Sequence, residues 1–308
     1  MAVVGIDLGG TKIQAVLVEG DELVADARAV TPDGGPESVA EAIADVVADL
    51  GKAAKGKAIG IGAPGIVDPD SGMLHRAPNL PGFTSGVTLG PLVAAATGAD
   101  RVLVDNDVNV AVLAEQRTGA GRGADDLLGV WVGTGVGGGL VLDGTLRRGP
   151  AGLTGEIGHL IVRDGGRRCG CGLDGHLEAY AGRAGMEKEA RRRHEAGETT
   201  LLVELAGDGR MKSGVFAKAL DAGDRVAEEL LEDAVQALGA ALASAAALVD
   251  LQRVVVGGGV AEKLGVPFVA RIGEATRHRL LVAEAGPEVV PAELGDLAGA
   301  LGAAFLVR

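Results

Sequence analysis

Two cysteines separated by a single glycine stand in the stretch RRCGCGLDGHLEAYAG, residues 167–182, of a 308-residue chain that has no other cysteine. A disulfide between Cys169 and Cys171 is disfavoured because a ring with one intervening residue is strained. His176 follows five residues later, so two thiols and an imidazole, all of them good metal ligands, lie close along the chain. The spacing favours a metal site, and two buried free thiols are the alternative.

A second polar cluster lies in RVLVDNDVNVAVLAEQ, where an apolar strand gives way to a helical pattern. A helix N-terminus needs one short polar side chain as its cap, yet Asp105, Asn106, Asp107 and Asn109 crowd this junction. The excess over one cap indicates a functional carboxylate, with simple capping as the alternative. The segment GEIGHL adds Glu156 and His159, and for this histidine a purely structural role is the alternative.

Three glycine-rich turns provide candidate phosphate sites. The stretch DLGGTK, residues 7–12, could bind an anion through backbone N–H groups, a hydroxyl and an ammonium group. Its carboxylate is a candidate ligand for Mg²⁺. An ordinary hairpin turn is the alternative. GTGVGG, residues 133–138, follows a strand, but a second strand comes next, which is inconsistent with a dinucleotide-binding helix. VVVGGGVAEKL, residues 254–264, has the order strand, glycines, helix and predicts a nucleotide site at a helix N-terminus.

Alternating strand and helix patterns must position these groups, and they predict an α/β fold. The hairpin pattern of Val3–Leu8 and Ile13–Val18 recurs at Leu127–Val132 and Leu140–Leu142, with residues 133–139 as the turn, which indicates a duplicated domain. Helical periodicity covers Glu37–Leu50, Asn109–Arg117, Arg225–Val249 and Leu294–Leu306. Further strands are predicted at Ala58–Ala63, Arg101–Val104 and Arg253–Val256. Such alternation is typical of parallel sheets whose ligand sites lie at strand carboxyl ends.

Composition limits the function classes. The chain has 47% hydrophobic and 23% charged residues, 52 glycines and a net charge of −13 (29 − 42), which disfavours a nucleic-acid partner. Its length suggests two lobes, and its N-terminal sequence shows no signal-peptide pattern, so a cytoplasmic protein is expected. The apolar run Ala234–Val249 is too short to span a membrane and predicts a buried helix. The arginines at 191–193 alternate with acidic residues, which predicts a solvated helix face.

The motifs, taken together, resemble those of the ROK family of sugar kinases and sugar-responsive repressors. The resemblance covers residues 3 to 260 in order and is carried by VVGIDLGGTKIQAVLV, APG, APNLPGF, DNDVNVAVLAE, GTGVGGGLVLDG, GEIGH, CGCGLDGHLEAYAG and VVVGGGV. It implies a two-lobed actin-like (ribonuclease H-like) ATPase fold with duplicated α/β domains and a cleft between them. Residues 1–106, with a returning C-terminal helix at 294–308, would form the small lobe, and 107–293 the large lobe with a zinc-binding loop.

The resemblance also implies roles for individual residues, and its motifs are most similar to those of ATP-dependent glucokinases. Asp107 would be the general base that accepts the proton of the sugar 6-hydroxyl during phosphoryl transfer. The sugar-binding residues would be Gly65, Asn79, Asn106, Asp107, Glu156, His159 and Glu178. The ATP and Mg²⁺ groups would be held by Asp7, Gly9, Gly10, Thr11, Lys12, Gly133, Thr134, Gly135, Gly257, Gly258 and Gly259. Structural Zn²⁺ would be bound by His159, Cys169, Cys171 and His176, with His176 where the family motif usually has a cysteine.

The sequence leaves several alternatives open. The sugar could be glucose, fructose, mannose, N-acetylmannosamine or N-acetylglucosamine, and the phosphoryl donor is not fixed by the motifs. A sugar-responsive repressor is disfavoured because the first hairpin strand begins at Val3 and the chain is acidic. A non-catalytic sugar-binding protein is disfavoured because Asp107 is present. The expected partners are a sugar and ATP, with no nucleic acid or membrane, and the resemblance implies a homo-oligomer, a dimer or a tetramer.

Overall fold

The computed structural model describes residues 2–68, 70–77, 80–84 and 86–308. The first sheet is built on the predicted hairpin, whose strands pair antiparallel so that Asp7 lies opposite Gln14. Its strand order is β3-β2-β1-β4-β7, with β1, β4 and β7 parallel to one another. These strands are β1 Ala2–Leu8, β2 Lys12–Glu19, β3 Glu22–Val30, β4 Ile59–Ala63 and β7 Val102–Asn106.

Helices cover both faces of this sheet because alternate strand residues are apolar on each side. One face is packed by α1 Pro36–Asp49 and α2 Leu89–Thr97 around side chains such as Ile6 and Ile61. The other face is packed by α3 Asp107–Thr118 and α10 Ala298–Leu306, with Val16 and Phe305 in its core. A small hairpin, β5 Ile66–Val67 and β6 Leu74–Arg76, lies between β4 and α2 in the chain. The predicted returning helix is therefore part of the first sheet's core.

The second sheet repeats the topology of the first, in the order β10-β9-β8-β11-β12. Its strands are β8 Leu127–Val132, β9 Val136–Leu142, β10 Thr145–Arg147, β11 Arg253–Gly257 and β12 Glu288–Pro291. The repeat confirms the duplicated α/β organisation. The predicted turn over 133–139 was too long, because β9 begins at Val136. Three glycines lie inside β9, and a Cβ on Gly138 would lie 2.6 Å from the carbonyl oxygen of Gly155.

The remaining helices follow Glu178 in the chain. They are α4 Glu178–Ala181, α5 Arg183–Glu195, α6 Leu201–Ala206, α7 Ser213–Asp221, α8 Arg225–Val249 and α9 Gly259–Arg277. The apolar run lies in helix α8, which has 25 residues and is long and apolar enough to cross a membrane by length and composition, so the expectation that it is too short does not hold for the whole helix. Half of its most apolar window is buried inside this structure. Arg192 is exposed and pairs with Glu189 of the same helix, as the solvated-face interpretation predicted. Arg193 is only 11% exposed and pairs with Glu198, beyond the end of α5, so that interpretation does not hold for this residue.

The chain divides into two compact units. The first comprises residues 1–123, 139–154 and 293–308, and the second comprises residues 124–138 and 155–292. Helix α3, which carries Asp107 as its first residue, thus belongs to the first unit. The two-lobe boundary after residue 106 stays a prediction.

Candidate active site and metal-ligand cluster

Asp107 is the first residue of α3 and follows directly on strand β7. The preceding Asn106 is the N-cap, whose side-chain oxygen accepts hydrogen bonds from the backbone N–H groups of Val108 and Asn109. The Asn106 amide nitrogen donates to Asp107 Oδ1 at 3.0 Å and to the carbonyl of Gly65 at 3.0 Å. All four hydrogen-bonding positions of the Asn106 amide are thereby used, and they fix the carboxylate of Asp107 in place.

The two oxygens of Asp107 differ. Oδ1 accepts from the N–H of Val108 at 2.9 Å as well as from Asn106. The protein holds the carboxylate through Oδ1, which orients Oδ2 as a proton acceptor. The pKa of Asp107 is raised to about 7, first by burial of the carboxyl group and second by the negative charge of Asp7. A base with this pKa is matched to proton transfer near neutral pH.

Asp105 precedes Asn106 and Asp107 in the chain, and the sequence analysis assigned it no separate role. Its Oδ2 accepts a hydrogen bond from Arg148 Nε at 2.6 Å, and its Oδ1 accepts from the N–H of Asn106 and from Asn109 Nδ2. Asp105 is almost fully buried, and a buried carboxyl group needs hydrogen-bonding or charged partners. Arg148 is the charged partner. It follows β10 directly and is 43 residues from Asp105 along the chain, so no local sequence pattern identified it.

The first glycine turn is the tip of the β1–β2 hairpin. Gly9 donates its N–H to the carbonyl of Lys12 at 2.9 Å, and Thr31, which the sequence analysis missed, donates its hydroxyl to the carbonyl of Gly9 at 2.7 Å. Gly10 is half-buried and Thr11 is exposed. Lys12 forms an ion pair with Asp296 at 3.4 Å. The tip is thus held by Thr31, the residue that follows β3, and the ammonium group of Lys12 pairs with a carboxylate of the C-terminal segment.

Asp7 is the last residue but one of β1, just before this turn. Burial raises the pKa of Asp7 to about 6, against the lowering effect of the Lys12 ammonium. Gln14 lies opposite Asp7 in the strand pair, is fully buried, and neither atom of its amide has a hydrogen-bond partner among the described residues. A carboxylate and an unsatisfied amide oxygen on adjacent strands are hard oxygen donors, so these residues fit Mg²⁺.

The second glycine turn, Gly133 to Gly135, is seated on the start of α5. The carbonyls of Gly133 and Thr134 accept hydrogen bonds from the N–H groups of Arg183 and Ala184, each at 3.0 Å. Thr134 is exposed. A Cβ on Gly135 would collide with the carboxylate of Glu178, so a larger residue here would have to displace that side chain.

The third glycine turn joins β11 to α9. Gly258 has φ of 87° and a Cβ there would lie 2.7 Å from the carbonyl of Val132, so this position requires glycine. A Cβ on Gly257 would lie 2.9 Å from the indole of Trp131. Gly259 begins the helix, and a Cβ there would make only an ordinary contact with Ser213. The predicted order strand, glycines, helix is confirmed, and the first N–H groups of α9 lack a side-chain cap.

His159, Cys169, Cys171 and His176 come together, as predicted from the sequence. Their four ligand atoms all lie within 4.8 Å of one another, with 3.3 Å between the two Nδ1 atoms and 3.2 Å between Cys171 Sγ and His176 Nδ1. Ideal tetrahedral zinc, with Zn–N of about 2.0 Å and Zn–S of about 2.3 Å, places its ligand atoms roughly 3.3–3.8 Å apart. Both cysteines are free thiols, and burial raises the pKa of Cys169 to about 11. The donor set therefore fits structural Zn²⁺.

The predicted sugar-binding residues of the second unit adjoin this cluster. His159 turns Nδ1 toward His176 and Nε2 toward the carboxylate of Glu156, 3.8 Å away. Glu178 is two residues beyond His176, and its Oε2 accepts from the N–H of Val136 at 3.2 Å while its Oε1 accepts from Cys169 Sγ at 3.5 Å. Asn79 lies outside the described residues, whereas Gly65 has φ of 104° and binds Asn106 through its carbonyl.

Two sheets of identical strand order, each opening on a hairpin with a glycine turn, define an actin-like ATPase fold. Residues 3–308 match the ROK family over this whole span, and the chain belongs to that family.

Several relatives match over the full chain. The glucokinase of Thermotoga maritima is 32% identical, with 100% of this chain and 98% of the relative covered. The structure of the ROK hexokinase of Thermus thermophilus has a TM-score of 0.86 at 37% identity, covering 100% of this chain and 98% of that one. The ROK glucokinase of Streptomyces griseus, in complex with glucose and AMPPNP, has a TM-score of 0.83 at 34% identity, covering 100% and 99%.

Proposed function

We propose that the protein transfers the γ-phosphoryl group of ATP to the 6-hydroxyl of glucose. The carrying observation is Asp107, an oriented carboxylate with a pKa near 7 at the start of α3, in a chain similar to glucokinases over its full length. The glucose 6-oxygen forms a bond to the γ-phosphorus while the bond from that phosphorus to the β,γ-bridging oxygen breaks. The hydroxyl proton goes to Asp107, and ADP and glucose 6-phosphate leave.

Sugar positioning is assigned to the residues that the motifs predicted. Hydroxyl groups of the sugar would be bound by Gly65, Asn79, Asn106, Asp107, Glu156, His159 and Glu178. At Asn106 a sugar hydroxyl would replace one of the four hydrogen bonds that its amide makes within the protein. Carboxylates suit this task because each accepts more than one hydroxyl hydrogen bond. The hydrogen bond from the N–H of Val136 supports the assignment of Glu178, since it holds that carboxylate in place. The carboxylate of Glu156 lies 3.8 Å from His159, which supports a shared site for these two residues.

ATP is assigned to the three glycine turns. Its phosphates would be bound by the N–H groups and side chains of residues 9–12 and 133–135, and its adenosine by residues 257–259. Mg²⁺ would be held beside Asp7 and would neutralise charge on the phosphates when bound. The unsatisfied amide of Gln14 next to Asp7 supports an oxygen-rich cation site.

The Cys/His cluster is assigned to structural Zn²⁺. With four protein ligands the site has no open coordination position, so it would stabilise the loop rather than activate water. Fixing His176 also constrains Glu178, because only the buried Leu177 lies between them. A cytoplasmic location stays a prediction from the N-terminal sequence, and assembly as a dimer or tetramer stays a prediction from the family resemblance.

A panel of sugars tests the reaction and its specificity. Glucose, fructose, mannose, N-acetylmannosamine and N-acetylglucosamine are each incubated with ATP, and ADP release gives kcat/KM. We expect glucose to rank first. A higher kcat/KM for another sugar would reassign the substrate, and no turnover with any sugar would overturn the proposed function.

Asp107→Asn tests the base. The amide keeps the shape and the hydrogen bond to Val108 but cannot accept a proton, so kcat should fall by about 10²–10⁴ while glucose binding by calorimetry is retained. Asp100→Asn, at an exposed aspartate just before β7, is the matched control and should leave kcat unchanged. A variant that retained a tenth of wild-type kcat would remove Asp107 from the role of base.

Variants of His176 test the metal. Elemental analysis should find close to one zinc per chain in the wild type and in His176→Cys, since a thiolate serves the same position. His176→Ala should lose zinc and raise the KM for glucose more than the KM for ATP. His194→Ala, at an exposed histidine of α5, is the control and should keep the metal. An alanine variant at 176 that kept its zinc would exclude this histidine as a ligand.

A further inference from the structure

Arg183, which the sequence analysis did not single out, contacts the second glycine turn. Its Nη2 donates to Thr134 Oγ1 at 2.8 Å, and its Nη1 donates to the carbonyl of Met211 at 2.8 Å. Glu187, one helical turn later, lies 3.7 Å from the same guanidinium group, and the Arg183 side chain is only 12% exposed. The guanidinium group is therefore fixed in place beside Thr134.

The backbone of the turn is tied to the same residue. The Arg183 N–H donates to the carbonyl of Gly133, and the next N–H donates to the carbonyl of Thr134. A Cβ on Gly182 would lie 3.2 Å from the Cα of Gly135, so the turn and the helix start are in close contact. Hydrogen bonds from both the side chain and the main chain of Arg183 thus fix the conformation of the turn Gly133 to Gly135.

The hydrogen bond between Arg183 and Thr134 has a direction that chemistry fixes. Arginine has no acceptor atoms and stays protonated in proteins, so the Thr134 hydroxyl oxygen must be the acceptor. The hydroxyl proton of Thr134 is then available to donate elsewhere, and Thr134 is exposed. A ligand that uses this proton must be an acceptor, and one that also meets the positive charge of Arg183 must be an anion.

The position of Arg183 in its helix is unfavourable without such an anion. It is the first residue of α5, and the first turn of this helix contains no acidic residue. A cation at a helix N-terminus opposes the helix dipole, at a cost of about 0.3–1 kcal/mol. The ion pair with Glu187 and the hydrogen bond to the carbonyl of Met211 hold the side chain in this position. A bound anion at the turn would offset the unfavourable interaction with the helix dipole.

We propose that Arg183 is a positioning residue for the nucleotide phosphates: it turns the Thr134 hydroxyl into an oriented donor and sets a fixed positive charge at the turn. The inference rests on the proposed function in one respect, that the Gly133–Gly135 turn binds the phosphates of ATP. It assigns Arg183 to nucleotide affinity and not to sugar affinity.

The test compares Arg183→Met with Arg183→Lys, which keeps the charge but not the planar fork of donors. The single tryptophan, Trp131, lies in β8 two residues before the turn, so its fluorescence should change when AMPPNP binds there; calorimetry measures the same binding. Arg183→Met should weaken AMPPNP binding and raise the KM for ATP about 10-fold or more, as expected for a charged hydrogen bond. The KM for glucose should change less than about twofold, and Arg183→Lys should recover part of the nucleotide affinity.

Two controls separate positioning from folding. Arg192→Met removes another arginine of α5, an exposed one that binds Glu189 rather than Glu187, and should leave AMPPNP binding unchanged. In a Thr134→Val background, the Arg183→Met loss should shrink, since the oriented hydroxyl is already absent. If Arg183→Met does not fold by thermal melting, Arg183→Lys and Thr134→Val still carry the comparison.

The outcomes distinguish this inference from the proposed function. Unchanged AMPPNP affinity in Arg183→Met, with an active wild-type kinase, would overturn the role of Arg183 alone. Loss of AMPPNP affinity in that variant, with a wild type that phosphorylates no sugar, would support Arg183 and overturn the proposed function. A wild type that binds no AMPPNP would overturn both.

Discussion

Asp107 combines two properties that a general base needs. Its Oδ1 is held by Asn106 and Val108, so the carboxylate is oriented before any substrate arrives. Its pKa is raised to about 7 by burial and by the charge of Asp7, which makes it a much stronger base than an exposed aspartate. The polar residues at the end of β7 and the start of α3 have separate roles. Asn106 caps α3 and orients Asp107, Asp105 is held by Arg148, and Asp107 is the proposed base.

The raised pKa of Asp107 predicts a pH profile. Because the base must be deprotonated, kcat/KM for glucose at saturating MgATP should rise with pH and level off above an apparent pKa near 7. Asp7→Asn removes one cause of the raised value, so its profile should shift to lower pH even if its absolute rate is reduced. Initial rates between pH 5.5 and 8.5 measure both. A wild-type rate that is constant from pH 6 to 8 would contradict this assignment.

Elements with strong local signals were predicted well from the sequence. Helix α8 was expected over Arg225–Val249 and spans those residues, and the side chain of Asp224 caps it by accepting from the N–H of Ala227. The first hairpin and strand β11 also agree with the expectation to within a residue or two. These elements carry both their apolar period and their end signals in their own sequence.

Elements and contacts that depend on distant partners were not predicted. Strand β9 begins at Val136, inside a glycine run, because pairing with neighbouring strands overrides the low strand propensity of glycine. The site residues Thr31, Arg148 and Arg183 reach their partners across 22, 43 and 49 residues. Nothing in the local pattern marks such residues, whereas the Cys/His cluster was found because zinc ligands are recognisable by type.

Glu115 shows how a distant contact stabilises an element. It is fully buried in α3, and its two carboxylate oxygens accept from the N–H groups of Ala120, Glu293 and Leu294, at 2.8–3.0 Å. Glu115→Gln should lower the free energy of unfolding by about 1–3 kcal/mol, because the amide NH₂ cannot accept and leaves a buried N–H unpaired. Urea denaturation measures the change. Glu41→Gln on the exposed side of α1 is the control, and an equal effect of both changes would contradict the role of Glu115.

At the scale of the whole molecule, neither compact unit is formed by one continuous segment of the chain. The first unit is assembled from three separate segments of the chain, with its last segment beginning at Glu293, the residue whose N–H binds Glu115. The second unit is interrupted only once. An intact first unit therefore requires both ends of the chain.

This arrangement predicts the effect of a C-terminal truncation. Residues Leu301, Phe305 and Val307 are buried against Val16 and Val18 on one face of the first sheet. Burying side chains of this size contributes about 1.5–3 kcal/mol each, and a domain is stable by only about 5–15 kcal/mol in total. A chain ending at residue 292 should therefore fail to fold its first unit and should be recovered as aggregate, with reduced far-ultraviolet circular dichroism.

Removal of Arg308 alone is the matched control for this truncation. Its guanidinium group pairs with the exposed Asp21 at 2.8 Å, and such a surface ion pair is worth about 0–1 kcal/mol. The shortened chain should remain soluble, with a melting temperature within a few degrees of the wild type. A chain ending at residue 292 that stayed soluble and melted cooperatively at the wild-type temperature would show that the returning helix is dispensable for the first unit. The burial of Phe305 at 2% exposure and of Ala304 with no exposure argues for the opposite outcome.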